Sequence, residues 1–140
     1  MQEKKTALIA GASGIVGRGI AERLVGDGWR VLCASRSGGG HLPGTEGVAV
    51  DLLDAEACAR AVAPHAGITH VFHAAFQPAP SRAAEVAPNL AMLRNVVEAV
   101  QQASPALRKV VLVTGAKFYG IQWGASSTPC RESEPRQLPP

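Results

Sequence analysis

Three glycines spaced three residues apart restrict the fold of this chain more than any other feature. They lie in the run GASGIVG at residues 11–17, which directly follows the apolar segment Thr6–Ala10. The next segment, Ile15–Gly26, carries apolar residues at helical spacing. A strand, a glycine turn and a helix are therefore predicted in that order. Such a turn at the start of a βαβ unit is typical of dinucleotide-binding domains.

An alternation of short apolar runs and helical segments continues to residue 114. Further strands are predicted at Arg30–Ser35, Gly47–Leu52, Thr69–Ala75 and Lys109–Thr114, and helices from the N-cap Asp54 to about Ala63 and from about Glu85 to Ala103. Strands that alternate with helices imply a parallel sheet covered on both faces. The expected fold class is α/β, a Rossmann-type doubly wound parallel sheet with strand order 3-2-1-4-5 and an irregular C-terminal tail.

The helical spacing also predicts which faces of the helices are buried. In the first helix, Val16, Ile20 and Leu24 recur every four positions and are expected to face the sheet. In the long helix the stripe interpreted as core, not as a partner surface, is Val86, Leu90, Leu93, Val97 and Val100. Pro88 is expected in the first turn of that helix, where its missing N–H is tolerated.

The regular pattern ends at residue 114. Residues 1–114 are interpreted as an NAD(P)-binding Rossmann domain, and 115–140 as an active-site loop and proline-rich tail. The tail holds Pro129, Pro135, Pro139 and Pro140 and shows no helical or strand period. A compact domain seldom carries about 25 structureless residues, so the chain is interpreted as the first part of a longer protein, apparently truncated.

Composition excludes several functional classes. The net charge is +3, the 14 Lys and Arg are scattered, and there are only two Trp, one Tyr and three Phe, so no nucleic-acid partner is expected. No apolar run approaches the roughly 20 residues of a membrane span, and none resembles a secretory signal, so a cytoplasmic protein without a membrane partner is expected. Three widely spaced cysteines match neither a disulfide framework nor a metal site.

The glycine turn predicts where phosphates would bind. Gly11 permits a tight turn, Gly14 lets the backbone approach a pyrophosphate, and Gly17 lets the helix pack close to the strand. The phosphates would then meet the N–H groups and positive dipole of the helix. The predicted contacts are Gly11, Ser13, Gly14, Ile15, Val16 and Gly17. The alternative is a structural glycine turn in another kind of α/β protein.

The end of the second strand bears on the choice of cofactor. An NAD site commonly has an acid there, whereas this chain has Ser35 and Arg36, which can contact a 2′-phosphate. NADP(H) is therefore favoured, the alternative being that Arg36 is an ordinary solvated arginine. The other predicted cofactor contacts are Asp51 and Leu52 beside the adenine, Ala74 and Ala75 along the middle, and Thr114. The alternative for the contacts that end strands three and four is simple strand packing.

These residues resemble the extended branch of the short-chain dehydrogenase/reductase superfamily. The glycine spacing, the pair Asp51-Leu52, the small residues after strand four and Asn89 match that branch in order. Extended members usually read Ser-Ser-x-x-Val-Tyr-Gly after strand five. Here residues 114–120 read TGAKFYG, so Gly115 stands where the second serine is usual.

The element Gly115-x-Lys117-x-Tyr119 is similar to that of the progesterone 5β-reductase/iridoid synthase-like family, an atypical extended branch. The segments GIVG at 14–17, ASR at 34–36, THVF at 69–72 and NLAMLRNV at 89–96 also resemble that family. The resemblance covers nearly the whole chain.

The resemblance implies reduction of activated C=C bonds of enones by NADPH, with Lys117 stabilising the enolate. The family's catalytic tyrosine lies further along; Tyr119 is the only tyrosine here and Tyr-x-x-x-Lys is absent. The implied partner is a small enone or carbonyl compound, and a homodimer is left open. The alternatives are a surface role for Lys117, a sugar-nucleotide epimerase or dehydratase relative, and a non-catalytic NADP-binding sensor.

Overall fold

A five-stranded sheet and three helices make up the regular part of the residues that the structure describes. The computed structural model describes residues 5–38, 42–120, 124 and 129–136, with the backbone alone at Ala116 and Lys117. The elements are β1 (Thr6–Ala10), α1 (Ile15–Gly26), β2 (Arg30–Ser35), β3 (Thr45–Ala49), α2 (Ala55–Val62), β4 (His70–His73), α3 (Arg82–Ala103), β5 (Lys109–Leu112) and a short 3-10 turn (Ala116–Tyr119).

All strand pairs are parallel, and the strand order is β3-β2-β1-β4-β5. This confirms the predicted Rossmann-type topology. Ala10, at the end of β1, is in register with Ala34 of β2 and His73 of β4, so the carboxyl ends of these strands meet at one edge. β1 reverses the direction in which strands are added, because β2 and β3 lie on one side of it and β4 and β5 on the other.

Two apolar layers cover the two faces of the sheet. On one face, Ala21 and Leu24 of α1 pack with alternate residues of β1 and β2. On the other, α2 and α3 pack against the remaining strand residues through Cys58, Val62 and Val96 among others. Every residue of β1 is buried. The central strand therefore anchors both layers, as expected for a doubly wound sheet.

The third strand lies earlier than predicted. It spans Thr45–Ala49 rather than Gly47–Leu52. Past its end, the N–H of Val50 still donates to the carbonyl of Ser35. The chain then turns, because the N–H of Asp54 donates to the carbonyl of Asp51 at 3.1 Å. The segment GVAVDL at residues 47–52 therefore contains the end of β3 and the start of a turn. Asp51 belongs to the turn and lies at the carboxyl edge of the sheet.

The predicted start of α3 was also wrong. The helix begins at Arg82, where the side chain of Ser81 accepts a hydrogen bond from the N–H of Ala84. Pro88 therefore lies in the second turn, not the first. The side chain of Asn89 donates to the carbonyl of Glu85 at 2.8 Å and adds a hydrogen bond beside the proline.

The buried faces of α1 and α3 differ from the predicted ones. In α1, Gly17 and Ala21 are buried with Leu24, whereas Val16 is 52% exposed. In α3 the buried residues are Met92, Val96, Ala99 and Val100. Only Val100 belongs to the predicted core stripe, and Val86 and Leu90 are mostly exposed. No helix in the described part of the chain is long and apolar enough to cross a membrane.

Candidate functional site

A cleft of about 580 Å³ runs along the carboxyl edge of the sheet. It is lined by Gly11, Ser13, Gly14, Ala34, Ser35, Arg36, Val50, Asp51, Leu52, Leu53, Ala74, Ala75, Phe76, Gln77, Pro78 and Met92. These residues lie at or just after the carboxyl ends of β1, β2, β3 and β4, except Met92, which belongs to α3. Ligands of open α/β sheets bind at this edge, where the order of strand addition reverses.

Packing explains two of the three glycines in the turn after β1. Gly11 has φ +85°, and a Cβ there would lie 2.6 Å from the backbone nitrogen of Ala75. A Cβ on Gly17 would lie 2.1 Å from the carbonyl oxygen of Gly11. Both glycines are thus required by close packing, Gly11 against the segment that follows β4 and Gly17 against the turn itself rather than against the strand.

Gly14 differs from its two neighbours in the motif. A Cβ there would contact only the carbonyl oxygen of Gly11, at an ordinary 3.5 Å. The space beside Gly14 belongs to the cleft rather than to packed protein. The absence of a side chain therefore leaves room for a ligand close to the backbone.

The N-terminus of α1 is suited to an anion. Gly14 caps the helix without a side-chain hydrogen bond, and the first turn contains no acidic residue. The first N–H groups of a helix have no partner within it, and the helix dipole adds positive charge at this end. Gly14 and Ser13 line the cleft here, so a phosphate could accept hydrogen bonds from the backbone.

Arg36, which directly follows β2, lines the cleft without an ion-pair partner among the described residues. Five other arginines form ion pairs with carboxylates, namely Arg18, Arg23, Arg30, Arg60 and Arg94. Arg36 forms no ion pair with any other residue that the structure describes. It is exposed, lines the cleft beside Ser35, and has no acidic neighbour on β2. Its guanidinium is available to a bound anion.

An asparagine of α3 fixes the wall formed by Asp51 and Leu52. The side chain of Asn95 donates to the carbonyl of Leu52 at 2.9 Å. One carboxylate oxygen of Asp51 accepts the N–H of Leu53, which shapes the turn. The pKa of the nearby Cys58 thiol is raised to about 11, mainly by burial and also by the negative charges of Asp54 and Asp51. Cys58 is therefore a neutral packing residue, not a reactive thiolate.

A second asparagine of α3 fixes the opposite wall, which follows β4. The side chain of Asn89 accepts the N–H of Gln77 and donates to the carbonyl of Gln77, both at 2.8 Å. This pair of bonds holds the backbone of Gln77, which lines the cleft with Ala74 and Ala75. One helix therefore positions both walls of the cleft.

The family model described as "NAD dependent epimerase/dehydratase family" matches residues 7–138. The chain belongs to this family. It is also 34% identical, over 125 residues, to a 3-oxo-Delta(4,5)-steroid 5-beta-reductase of Arabidopsis thaliana, and 29% identical, over 147 residues, to an (S)-8-oxocitronellyl enol synthase of Antirrhinum majus. These alignments cover 83% and 97% of this chain but only 32% and 35% of the relatives, so the chain spans about a third of their length.

Solved structures of the same architecture support the fold. The Bordetella bronchiseptica enzyme WbmG, solved in complex with NAD, matches with a TM-score of 0.73 and 22% identity. The match covers 97% of this chain and 44% of that one. The chain is thus a nucleotide-binding Rossmann domain of the epimerase/dehydratase family.

In this epimerase-family chain, most of the sequence-predicted contacts lie in the cleft. Those that do not line it are Ile15, Val16, Gly17 and Thr114. Gly17 packs beneath the turn, and Ile15 is 93% exposed. The backbone of Lys117 lies in the 3-10 turn after β5, and its side chain is outside the described part of the chain.

Sequence reasoning missed several residues of the site. It did not identify the clamping roles of Asn89 and Asn95 or the lining residues Phe76 and Gln77. The available signal was two asparagines, which form helices weakly, inside a predicted helix. Among the described residues, no group of three or more His, Cys, Asp or Glu side chains could hold a metal ion.

Proposed function

We propose that this chain is the NADP(H)-binding region of a short-chain reductase that acts on enones or related carbonyl compounds. The observation that carries the proposal is Arg36, which lines the cleft at the end of β2 without an ion pair among the described residues. An NAD site commonly has an acid at this position to bind the ribose hydroxyls. A guanidinium instead matches the geometry and charge of a 2′-phosphate.

The residues of the cleft suit a dinucleotide along its length. Ser13 and Gly14 would meet the pyrophosphate at the start of α1, and Asp51 and Leu52 would flank the adenine. Ala74 and Ala75 would line the middle of the cofactor, since small side chains there keep the cleft open. When bound, the reduced cofactor supplies a hydride to the substrate.

Support for an enone substrate comes from the resemblance at Gly115-x-Lys117-x-Tyr119. The name of the Arabidopsis thaliana relative describes a ketone conjugated to a C=C bond. The ammonium group of Lys117 would stabilise the negative oxygen of an enolate in a site shielded from water. Gly115, in place of the serine usual in extended members, weighs against a sugar-nucleotide epimerase.

Exchange of Arg36 tests the proposal. Arg36→Ala should weaken NADP binding about 10- to 150-fold, the value of a lost charge-assisted contact, and leave NAD binding nearly unchanged. Isothermal titration calorimetry of both cofactors measures this. Arg60→Ala is the matched control, because Arg60 pairs with Glu56 on the exposed side of α2, away from the cleft.

Equal losses for NADP and NAD in Arg36→Ala would contradict the proposed 2′-phosphate contact. The reductase and the alternative, a non-catalytic NADP-binding sensor, are separated by following NADPH oxidation in the presence of an enone, with this region extended by its natural downstream sequence, since the family's catalytic tyrosine lies further along. The reductase consumes NADPH only when the enone is added, and a sensor binds NADPH without consuming it.

A further inference from the structure

The chain turns sharply where β2 ends. The N–H of Gly38 donates to the carbonyl of Ser35 at 3.2 Å, which closes a four-residue turn. The same carbonyl accepts the N–H of Val50 at 2.9 Å, so the turn is tied to the strand beside it. Backbone hydrogen bonds within the turn and to the segment after β3 therefore fix the conformation of residues 35–38.

Gly38 fits the turn closely against β3. It has φ +65°, a conformation that favours glycine, and a Cβ there would lie 2.7 Å from the Cβ of Ala49. Since Ala49 is in register with Ser35, the turn lies close against the end of β3, with no room for a side chain at Gly38. The side chains of residues 35–37 are thus presented at a fixed place beside the cleft.

Two hydroxyl groups converge in this turn. The Oγ atoms of Ser35 and Ser37 lie 3.5 Å apart. This distance is well beyond that of a strong O–H···O bond, so each hydroxyl keeps the capacity to donate to a better acceptor. Arg36 lies between them in sequence and lines the cleft. A guanidinium and two hydroxyls therefore occupy one short turn.

We propose that Ser37 contributes a second hydroxyl to a 2′-phosphate site formed with Ser35 and Arg36, and that the turn closed by Gly38 positions it. A phosphate monoester offers three strongly accepting oxygens, which one guanidinium and two hydroxyls can satisfy together. The inference rests on the proposed NADP(H) binding and adds a residue that sets the specificity for the 2′-phosphate.

Three single variants of the full 140-residue chain test the role of Ser37. Ser37→Ala should weaken NADPH binding about 2- to 12-fold, as expected for one lost hydrogen bond of ordinary strength at an exposed site. Its affinity for NADH should not change. Ser37→Thr keeps the hydroxyl and should retain most of the affinity for NADPH. The matched control is Ser133→Ala, because Ser133 is an exposed serine outside the cleft lining.

Fluorescence titration of NADPH and NADH gives the affinities. Competition by adenosine 2′,5′-bisphosphate and by adenosine 5′-monophosphate isolates the 2′-phosphate. Only the bisphosphate should compete less well in Ser37→Ala. Because Ser37 is exposed, the variant should melt as the unchanged chain does by circular dichroism.

Two negative results have different meanings. If Ser37→Ala binds NADPH as tightly as the unchanged chain, while Arg36→Ala loses NADPH affinity alone, the role of Ser37 is overturned and the proposed function stands. If the unchanged chain binds NADH as tightly as NADPH, the proposed NADP preference fails, and the inference fails with it.

Discussion

At the scale of single residues, the glycines of the first turn serve different purposes. Gly11 and Gly17 are required by the protein's own packing, since a Cβ on either would overlap backbone atoms. A Cβ on Gly14 would meet only one protein atom within 4 Å. Packing therefore does not require glycine at position 14, whereas a phosphate close to the backbone would. This difference separates a ligand-binding turn from a merely structural one.

Gly14→Val should abolish dinucleotide binding and leave the fold intact. The valine side chain would occupy the cleft, and the β-region backbone at this residue (φ −80°, ψ 165°) accepts valine. Calorimetry with NADP and a melting curve measure the two effects. Gly19→Val is the control, because a Cβ at this other glycine of α1 would meet no atom within 4 Å. Normal NADP binding by Gly14→Val would show that the phosphate site lies elsewhere.

His73 is a buried residue that should make stability depend on pH. It is 3% exposed, its Nδ1 atom has no hydrogen-bond partner within the described structure, and burial lowers its pKa. In the unfolded chain His73 binds a proton with the ordinary histidine pKa of about 6.5, whereas in the folded chain it binds the proton only at lower pH. Stability is therefore greatest above that pKa and decreases as the pH falls toward the lowered pKa of the folded state.

Denaturant unfolding at about pH 8 and about pH 5.5 measures this dependence, and the chain should be less stable at the lower pH. In His73→Leu the difference should shrink. Part of it should remain, because burial, with Lys5, Lys109 and Arg108, also lowers the pKa of His70. An unchanged difference in His73→Leu would show that His73 does not cause the effect.

At the scale of elements, α3 acts as the frame of the cleft. Asn89 holds the backbone of Gln77 and Asn95 holds the carbonyl of Leu52, so the two walls are fixed to one rigid helix. Asparagine inside a helix lowers the stability of the helix, and the hydrogen bonds of Asn89 and Asn95 to the cleft walls offset that loss. The distance between the walls then depends on the helix rather than on the loops themselves.

Asn89→Ala should weaken NADP and NAD binding by a similar factor of up to about 30, since it removes two hydrogen bonds to Gln77 that contribute roughly 1 kcal/mol each. The loss should be shared because Gln77 lies on the wall after β4, away from the proposed 2′-phosphate site at the end of β2. Titration of both cofactors tests this, with the exposed Gln102→Ala on the same helix as control. An effect on NADP alone would contradict the positioning role.

Sequence reasoning was most accurate where local chemistry decides the structure. The glycine turn, the strand order and Arg36 at the end of β2 follow from residue type and spacing. The buried face of α3 could not be predicted in this way, because the helix carries apolar residues on more than one side. Contacts with the rest of the fold decide that Met92 and Val96 are buried. The bonds of Asn89 and Asn95 join residues 12 and 43 positions apart, which spacing alone does not reveal.

At the scale of the whole molecule, the two sides of α3 differ sharply. One side closes the core and frames the cleft. The other forms, with β5, an apolar groove of about 480 Å³ that includes Leu90, Leu93, Val97, Val110 and Leu112. Leu90 and Leu112 are about half exposed within the described structure.

The proposed preference of this Rossmann domain for NADP(H) rests on the availability of Arg36 at the end of β2. The most direct measurement is the pair of dissociation constants for NADP and NAD, determined by calorimetry on the unchanged chain at one ionic strength. We expect NADP to bind at least about tenfold more tightly than NAD, the lower limit for a charge-assisted contact. Equal affinities, or tighter binding of NAD, would contradict it.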